Sequence, residues 1–340
     1  MKTKLFTENT DENIRQAAKI IQSGGLLGIP TETVYGLGAD CLNEDAVSHI
    51  FQAKGRPQDN PLIIHVADAS WLEKYCENVP REAYLLAEKF WPGPLTMILP
   101  RKNVVPLRTT GGLQTVGVRC PDHPVTLAII RAAGVPIAAP SGNLSGRPSP
   151  TSAQDMLEDM DGRIDAIFDG GACGVGVESS IIDLTAKPAR LLRAGGLPVE
   201  ALRAVLGQVV IDKCITQKVE NGEKPKAPGM KYRHYAPKAP VTVICGEAQN
   251  SAQYILAHHQ KGDGVICFDE FEALYSDCVV HKLGSAHDPL AQAQHVFDCL
   301  RRFDATAVPH IYAQCPEEAE LGLAVANRLK KAAGFDVIEV

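Results

Sequence analysis

Apolar positions along the chain follow two different spacings, and each change of spacing marks an element. Over residues 11–23, DENIRQAAKIIQS, the positions Ile14, Ala17, Ala18 and Ile21 share one helical face, with Thr10 placed to cap the start and Gly24-Gly25 to end it. Short apolar runs bounded by turn residues then read as strands: LLGI from 26, LIIHVA from 62, LTMIL from 95, VGVR from 116, PIAAP from 136, AIFD from 166, SIIDL from 180 and RLLR from 190. Helical spacing returns at 44–53, 70–76, 80–90, 123–133, 152–159 and 198–206. The interleaving is too irregular for a strict βαβ alternation, so the pattern predicts an α/β fold with a twisted mixed sheet and flanking helices.

After Leu206 the chain turns polar and reaches KPKAPGMKYRHYAPKAP, residues 224–240, with four prolines and four lysines and the composition of a tether. From 241 a fresh alternation begins: VTVICG, GVICF, CVVHKLG and AVPHIYA as strands, with SAQYILAHHQ, LAQAQHVFDCLRRF and EEAELGLAVANRLKKAA as helices. This is the text of a small Rossmann-like α/β unit. The expected boundaries are a first domain over 1–207, a linker or lid over 208–239 and a C-terminal domain over 240–340. His258, His259 and His281 read most simply as surface residues of that last unit.

A length of 340 residues agrees with two domains at roughly 150 residues each. The hydrophobic fraction of 45% and charged fraction of 22% are ordinary for a soluble protein, and no apolar run approaches the roughly 18 residues of a membrane span. The start, MKTKLFTENTDENIRQAAKI, is polar where a signal peptide needs an apolar stretch, so the expected location is the cytoplasm, away from any membrane. Ten cysteines are spread along the chain without a C-x-x-C, which predicts reduced, buried thiols rather than a zinc finger or a disulfide framework. A net charge of -6 and a pI near 5.9 argue against tight general nucleic-acid binding and leave room for a local basic cleft.

No G-x-x-x-x-G-K-[ST] and no G-x-G-x-x-G between strand and helix is present, so a nucleotide would have to bind by other means. GGACGVG from 170 reads equally as a flexible loop or an anion-cradling nest. Polar segments beside strands carry the candidate chemistry. PTETVYGLGAD, 30–40, offers hydroxyls, a glutamate and a tyrosine, or is a plain loop. KGRPQDNPLIIH, 54–65, puts Lys54 and Arg56 two residues apart, able to clamp phosphate or carboxylate, with Asn60 and His65 following; its plain alternative is a solvated loop. His65 alone reads first as a hydrogen-bonded core histidine. TTGGLQTVGVRCP, 109–121, brings Thr115 and an in-strand Arg119, whose charge needs an anion or an exit to water. APSGNLSGRPSPTSA, 139–153, GVESSIIDL and RLLRAG add small polar residues, Ser179, Ser180 and Arg193. Lys54, Arg56, Arg119 and Arg193 together call for an anionic ligand.

The ordered set PTETVYGLG, KGRP with NPLIIH, TVGVRCP and APSGNLSG, followed by PGMKYRHYAP and an extra α/β unit, resembles the threonylcarbamoyl-AMP synthase family in its long, two-domain form. That resemblance implies a YrdC-like catalytic fold and a reaction of L-threonine, bicarbonate and ATP giving L-threonylcarbamoyl-AMP, pyrophosphate and water. The product would pass to proteins that transfer the threonylcarbamoyl group to tRNA in t6A modification. By matching motifs, the resemblance implies a threonine pocket of Thr33, His65, Arg119, the main chain of Ala139, and Ser179. It implies ATP contacts from Arg56, Asn60, Thr115, Ser141, Asn143, Ser149, Arg193 and a tether tyrosine, Tyr235 or alternatively Tyr232. Lys54 with Arg56 would be the catalytic pair facing phosphate or the carbonate-derived carboxylate. Mg2+ would accompany ATP, with protein ligands unassigned; Glu32 and Glu178 receive no role. The chain departs from the family in Ala227 before Pro-Gly-Met, where serine is more frequent, and in Gly142 of Ser-Gly-Asn, where alanine is. Two other readings remain, an RNA-binding module and a carbamoyl transferase with another acceptor. Under the synthase reading the tether becomes a lid, hinged at Pro228-Gly229 and carrying Met230, Tyr232, Arg233, His234 and Tyr235 over the nucleotide.

Overall fold

The computed structural model describes residues 2–217 and 235–340. The first unit is built on strands β1 (Lys4–Phe6), β2 (Leu27–Ile29), β3 (Gly36–Asp40), β4 (Ile63–His65), β5 (Leu95–Pro100), β6 (Thr115–Arg119), β7 (Ile137–Ala138), β8 (Ala166–Phe168), β9 (Ser180–Asp183), β10 (Ala189–Arg193) and β11 (Val209–Ile211). They form one mixed sheet in the order β1-β8-β2-β3-β7-β4-β6-β5-β9-β10-β11. Around it lie α1 (Asp11–Gln22), α2 (Glu44–Lys54), α3 (Leu72–Tyr75), α4 (Arg81–Phe90), α5 (Pro124–Ala133), α6 (Ala153–Met160), α7 (Val199–Leu206) and α8 (Lys213–Thr216).

Local sequence accounts for the ends of these helices. The Thr10 hydroxyl accepts from the Asn13 amide at the start of α1, whose buried face is Ala17, Ala18 and Ile21. Ser152 and Asp155 form a reciprocal capping box on α6. Gly55 closes α2 in the left-handed conformation, φ 61°, and swings the chain from Lys54 to Arg56 within one residue.

The second unit has β12 (Val241–Cys245), β13 (Gly264–Phe268), β14 (Val279–Gly284), β15 (Ile311–Gln314) and β16 (Val337–Glu339), with α9 (Ala248–His258), α10 (Pro289–Arg302) and α11 (Gly322–Ala332). Its sheet runs β14-β13-β15-β12-β16 with every pairing parallel. Strands buried on both faces, such as GVICF, read as unbroken apolar runs for this reason. No helix among the described residues is long and apolar enough to cross a membrane.

Several elements escape the periodicity. GLGAD becomes β3 because its glycines give the sheet room: a Cβ on Gly38 would stand 2.8 Å from the Ile137 side chain. β1, β11 and β16 are three residues long, too short to show alternation. The final helix begins at Gly322, five residues later than its polar lead-in suggests.

The two units share one apolar cluster, which runs from Val177 and Leu202 through Tyr235 to Phe297, Leu300, Leu323 and Leu329. Polar contacts fix the join. Arg301 of α10 donates to the Pro148 carbonyl at 2.7 Å and to Asp159 at 2.8 Å, and Asp159 is also held by Arg147. Asn327 of α11 donates to the Ile215 carbonyl at 2.7 Å. Gly176, φ 84°, lets the chain pass so close to α10 that a Cβ there would stand 2.4 Å from the Ala293 carbonyl oxygen.

Candidate functional site

A cleft opens where β4 and β6 end in parallel, beside the start of β3, the start of β9 and the end of β10. His65 and Arg119 are register partners on β4 and β6, so their side chains leave the sheet together. The ends of parallel strands are where α/β sheets leave concave space for ligands. Among the described residues, Lys54, Arg56, His65, Arg119, Ala139, Ser141, Asn143, Ser179, Arg193 and Tyr235 line one cavity, together with Thr31, Val34, Gly36, Ile63, Pro140, Ser145, Gly146 and Glu178.

Lys54 is buried, and its ammonium donates to the main-chain carbonyls of Ser141, at 2.5 Å, and Asn143. It therefore holds the Ser141-Gly142-Asn143 turn in place. Burial, with Arg56 nearby, pushes its pKa well below the ordinary lysine value. The turn is tied within itself as well: Ser141 Oγ donates to Asn143 Oδ1 at 2.5 Å, and Asn143 Nδ2 donates to the carbonyls of Leu144 and Arg147 at 2.8 Å. A Cβ on Gly142 would meet Met156 Sδ at 2.7 Å, so this turn carries glycine where Met156 fills the space.

Arg119 lies buried with Nε donating to the Gly93 carbonyl at 3.3 Å. Its Nη2 is 2.7 Å from Glu32 Oε2, yet the N–H is poorly aligned, and Nη2 and both Glu32 oxygens lack a hydrogen-bond partner. The pair is close in charge and unfilled in hydrogen bonds. Beside it, burial and then Arg119 push the His65 pKa down to about 3, so its ring is neutral, with Nδ1 3.3 Å from the Ile137 carbonyl.

Arg193 donates from Nε to the Ser179 carbonyl at 2.9 Å and from Nη2 to Ser179 Oγ at 3.1 Å, and Thr96 completes that hydroxyl chain at 2.8 Å. Glu178 accepts from Ser149 Oγ at 2.7 Å on one oxygen and from Arg328 Nε at 2.8 Å on the other. Burial alone would raise its pKa, but Arg328, Arg193 and the Ser149 hydrogen bond hold it at about 2. Tyr235 sits against the same group with its hydroxyl hydrogen-bonded to Glu178, its ring 5.0 Å from Phe297 of α10, and the Arg328 guanidinium 5.7 Å from its centre. Its φ of 64°, rare for a bulky residue, is sustained by that packing.

Four residues singled out from the sequence stand off the cavity wall. Thr33 is fully buried and its hydroxyl pairs at 2.8 Å with Thr31, which takes the wall position instead. Ser149 lies behind Glu178. Asn60 is buried with Oδ1 unpartnered. Thr115 starts β6, about 13 Å along the strand from Arg119 at roughly 3.3 Å per residue. Tyr232, Arg233, His234, Met230 and the Pro228-Gly229 hinge lie outside the described residues.

Glu178 and Glu32, given no role from the sequence, hold Arg328 and Arg119 respectively. The C-terminal unit reaches the cleft indirectly, through Arg328 on the wall residue Glu178. Nothing in the local text around Arg328 marks it, because its partner is 150 residues away.

A family model described as "Telomere recombination" matches residues 19–195, and one described as "Threonylcarbamoyl-AMP synthase, C-terminal domain" matches 197–334. The threonylcarbamoyl-AMP synthase of Pyrococcus abyssi (strain GE5 / Orsay) is 48% identical over 336 residues, 96% of each chain. That of Bacillus subtilis (strain 168) is 46% identical, covering 99% of this chain and 100% of its own. The crystal structure of P. abyssi Sua5 complexed with L-threonine superposes with a TM-score of 0.90 at 46% identity, over 100% of both chains.

Proposed function

Because the chain belongs to the threonylcarbamoyl-AMP synthase family along both of its units, we propose that it joins L-threonine, bicarbonate and ATP into L-threonylcarbamoyl-AMP, releasing pyrophosphate and water. The observation that carries this substrate reading is the convergence of Lys54, Arg56, Arg119 and Arg193 on one cavity in a chain of net charge -6. Lys54, Arg119 and Arg193 are buried and Arg56 is half-buried, so cations gathered there call for anions beside them, and a carboxylate and a triphosphate are such anions.

In this reading Arg119 takes the threonine carboxylate with the guanidinium nitrogen left unfilled, flanked by neutral His65, Ser179 and the Ala139 main chain, with Thr31 rather than Thr33 at the wall. ATP lies against Arg56, Ser141, Asn143, Arg193 and Tyr235, with Asn60, Thr115 and Ser149 further out. The threonine amine adds to carbon dioxide or bicarbonate, and the carbamate oxygen then attacks the α-phosphorus, with pyrophosphate leaving. Each step gathers negative charge and needs reactants held in contact, so fixed cations and positioning supply the acceleration. Lys54 contributes by holding the Ser141–Asn143 turn, with Arg56 the cation nearer the reacting groups.

Magnesium fits the protein donors poorly. Among the described residues, the carboxylate on the cavity wall is Glu178, which already accepts from Ser149 and Arg328, while Glu32 lies 2.7 Å from the Arg119 guanidinium. A hard dication prefers several oxygen ligands and retains water, so Mg2+ enters the proposal only as a companion of the triphosphate. The product passes to proteins that transfer the group to tRNA. Ten free cysteines suit a reducing cytoplasm, where we place the reaction.

Pyrophosphate release from ATP tests the reading. It should require both L-threonine and bicarbonate; release that ignores either one contradicts it.

A further inference from the structure

In the second unit, three potential ligand atoms meet at the C-terminal end of α9 and the segment entering β14. His259 Nδ1 lies 3.2 Å from Cys278 Sγ, Asp277 Oδ1 lies 3.9 Å from the same nitrogen, and Asp277 Oδ1 is 3.8 Å from the sulfur. We propose that His259, Asp277 and Cys278 form a zinc site, binding the ion through Nδ1, one carboxylate oxygen and the thiolate.

The triangle has the right size. Tetrahedral zinc with bonds of about 2.0 Å to nitrogen and oxygen and 2.3 Å to sulfur sets its ligand atoms about 3.3–3.6 Å apart. The three edges lie on either side of that range and close onto it with sub-ångström adjustments of side chains. His259 is well enclosed, at 9% side-chain exposure, whereas Asp277 is 47% exposed, which leaves the fourth position to water.

The same geometry excludes a nucleophile relay. In a Cys-His-Asp relay the thiol and the carboxylate use opposite ring nitrogens. Here both address Nδ1, an arrangement that suits a shared cation. The charged groups acting on the sulfur are the carboxylates of Asp277 and Asp263. A second cluster, Cys245, Cys315 and Glu318, also brings its ligand atoms within 4.8 Å, but Lys330 lies in it, bound to Glu318 at 2.5 Å and acting on both sulfurs. That ammonium competes with a dication, so the first cluster is the favoured one.

Binding releases the Cys278 thiol proton to solvent and ties the end of α9 to edge strand β14, across the segment that contains β13. It is independent of the cleft, so its failure would leave the proposed synthase activity standing.

The test is Co2+ titration of the full chain, stripped with a chelator under a non-thiol reductant. The expected result is one equivalent bound, a thiolate-to-cobalt charge-transfer band with tetrahedral d–d bands, and their displacement by Zn2+. The bands should persist in Cys245→Ser/Cys315→Ser and vanish in Cys278→Ser, with affinity at least tenfold weaker in His259→Gln and Asp277→Asn. Pyrophosphate release should be unchanged in Cys278→Ser. Absence of the charge-transfer band in the unsubstituted protein overturns the site whatever the variants do. A band that survives Cys278→Ser, or is lost with Cys245→Ser/Cys315→Ser, assigns the sulfur elsewhere and overturns it equally.

Discussion

Arg328 of the second unit donates from Nε to Glu178 of the first at 2.8 Å, with both side chains buried. It adds a buried charge pair at the edge of the cleft to the Arg301–Asp159 pair that also joins the two units. Ser149, Arg193 and Tyr235 all depend on where the Glu178 carboxylate stands.

Removing Arg328 should be costly. Arg328→Met removes the nearest charge on buried Glu178 and leaves it only Arg193 and Ser149, a change expected to destabilise by about 3 kcal/mol. Glu178→Gln with Arg328→Met should cost less than the sum of the single changes, measured by denaturant unfolding in a double-mutant cycle.

The same pair gives the fold a pH dependence. The Glu178 pKa is about 2 in the folded chain against 4.5 ordinarily, so its stabilisation is present above pH 4.5 and is lost as pH falls toward 2. The size is on the order of 3 kcal/mol for a shift of this extent. Unfolding free energies of the wild type and Glu178→Gln should therefore converge across that interval.

His65 should show no titration between pH 5 and 8 by NMR of its ring, since its pKa is pushed down to about 3. The neutral folded ring favours the native state above pH 6.5, and this contribution declines as pH falls below that value and the unfolded ring takes a proton. A midpoint near 6.5 for this residue would contradict its placement beside Arg119.

Arg56 and Lys54 should separate in their behaviour. Arg56→Ala should abolish pyrophosphate release while the chain stays folded. Lys54→Ala should lower it by about a hundredfold or more and also lower the unfolding midpoint, because two carbonyls of the Ser141–Asn143 turn lose their donor.

Gly142→Ala should cost about 1–2 kcal/mol through the clash with Met156, and Met156→Ala should relieve most of that difference by opening the space. Thermal unfolding of the two singles and the double decides it.

Most of the fold was legible because its elements announce themselves locally. Thr10, Asn43 and Ser152 cap helices where the text suggests starts, and the apolar runs become strands. What the spacing could not show was pairing across distance. Nothing in GLGAD says that its glycines face Ala139 and Ile137, and nothing near Arg328 says that its partner is Glu178. Motif order likewise grouped Lys54, Arg56, Arg119 and Arg193, whereas only the actual turn shows Thr31 on the cavity wall and Thr33 hydrogen-bonded behind it. His259 read as a surface residue, and its enclosed position beside Cys278 arises only when β14 docks at the sheet edge.

The proposed joining of three substrates in one cleft is tested most directly by its product. The protein should be incubated with ATP, L-threonine and carbon-13 bicarbonate, and the adenylate analysed by mass spectrometry before it hydrolyses. The expected result is a single species containing AMP, threonine and one labelled carbonyl carbon. AMP and pyrophosphate without that species, or an adenylate lacking the label, would contradict it.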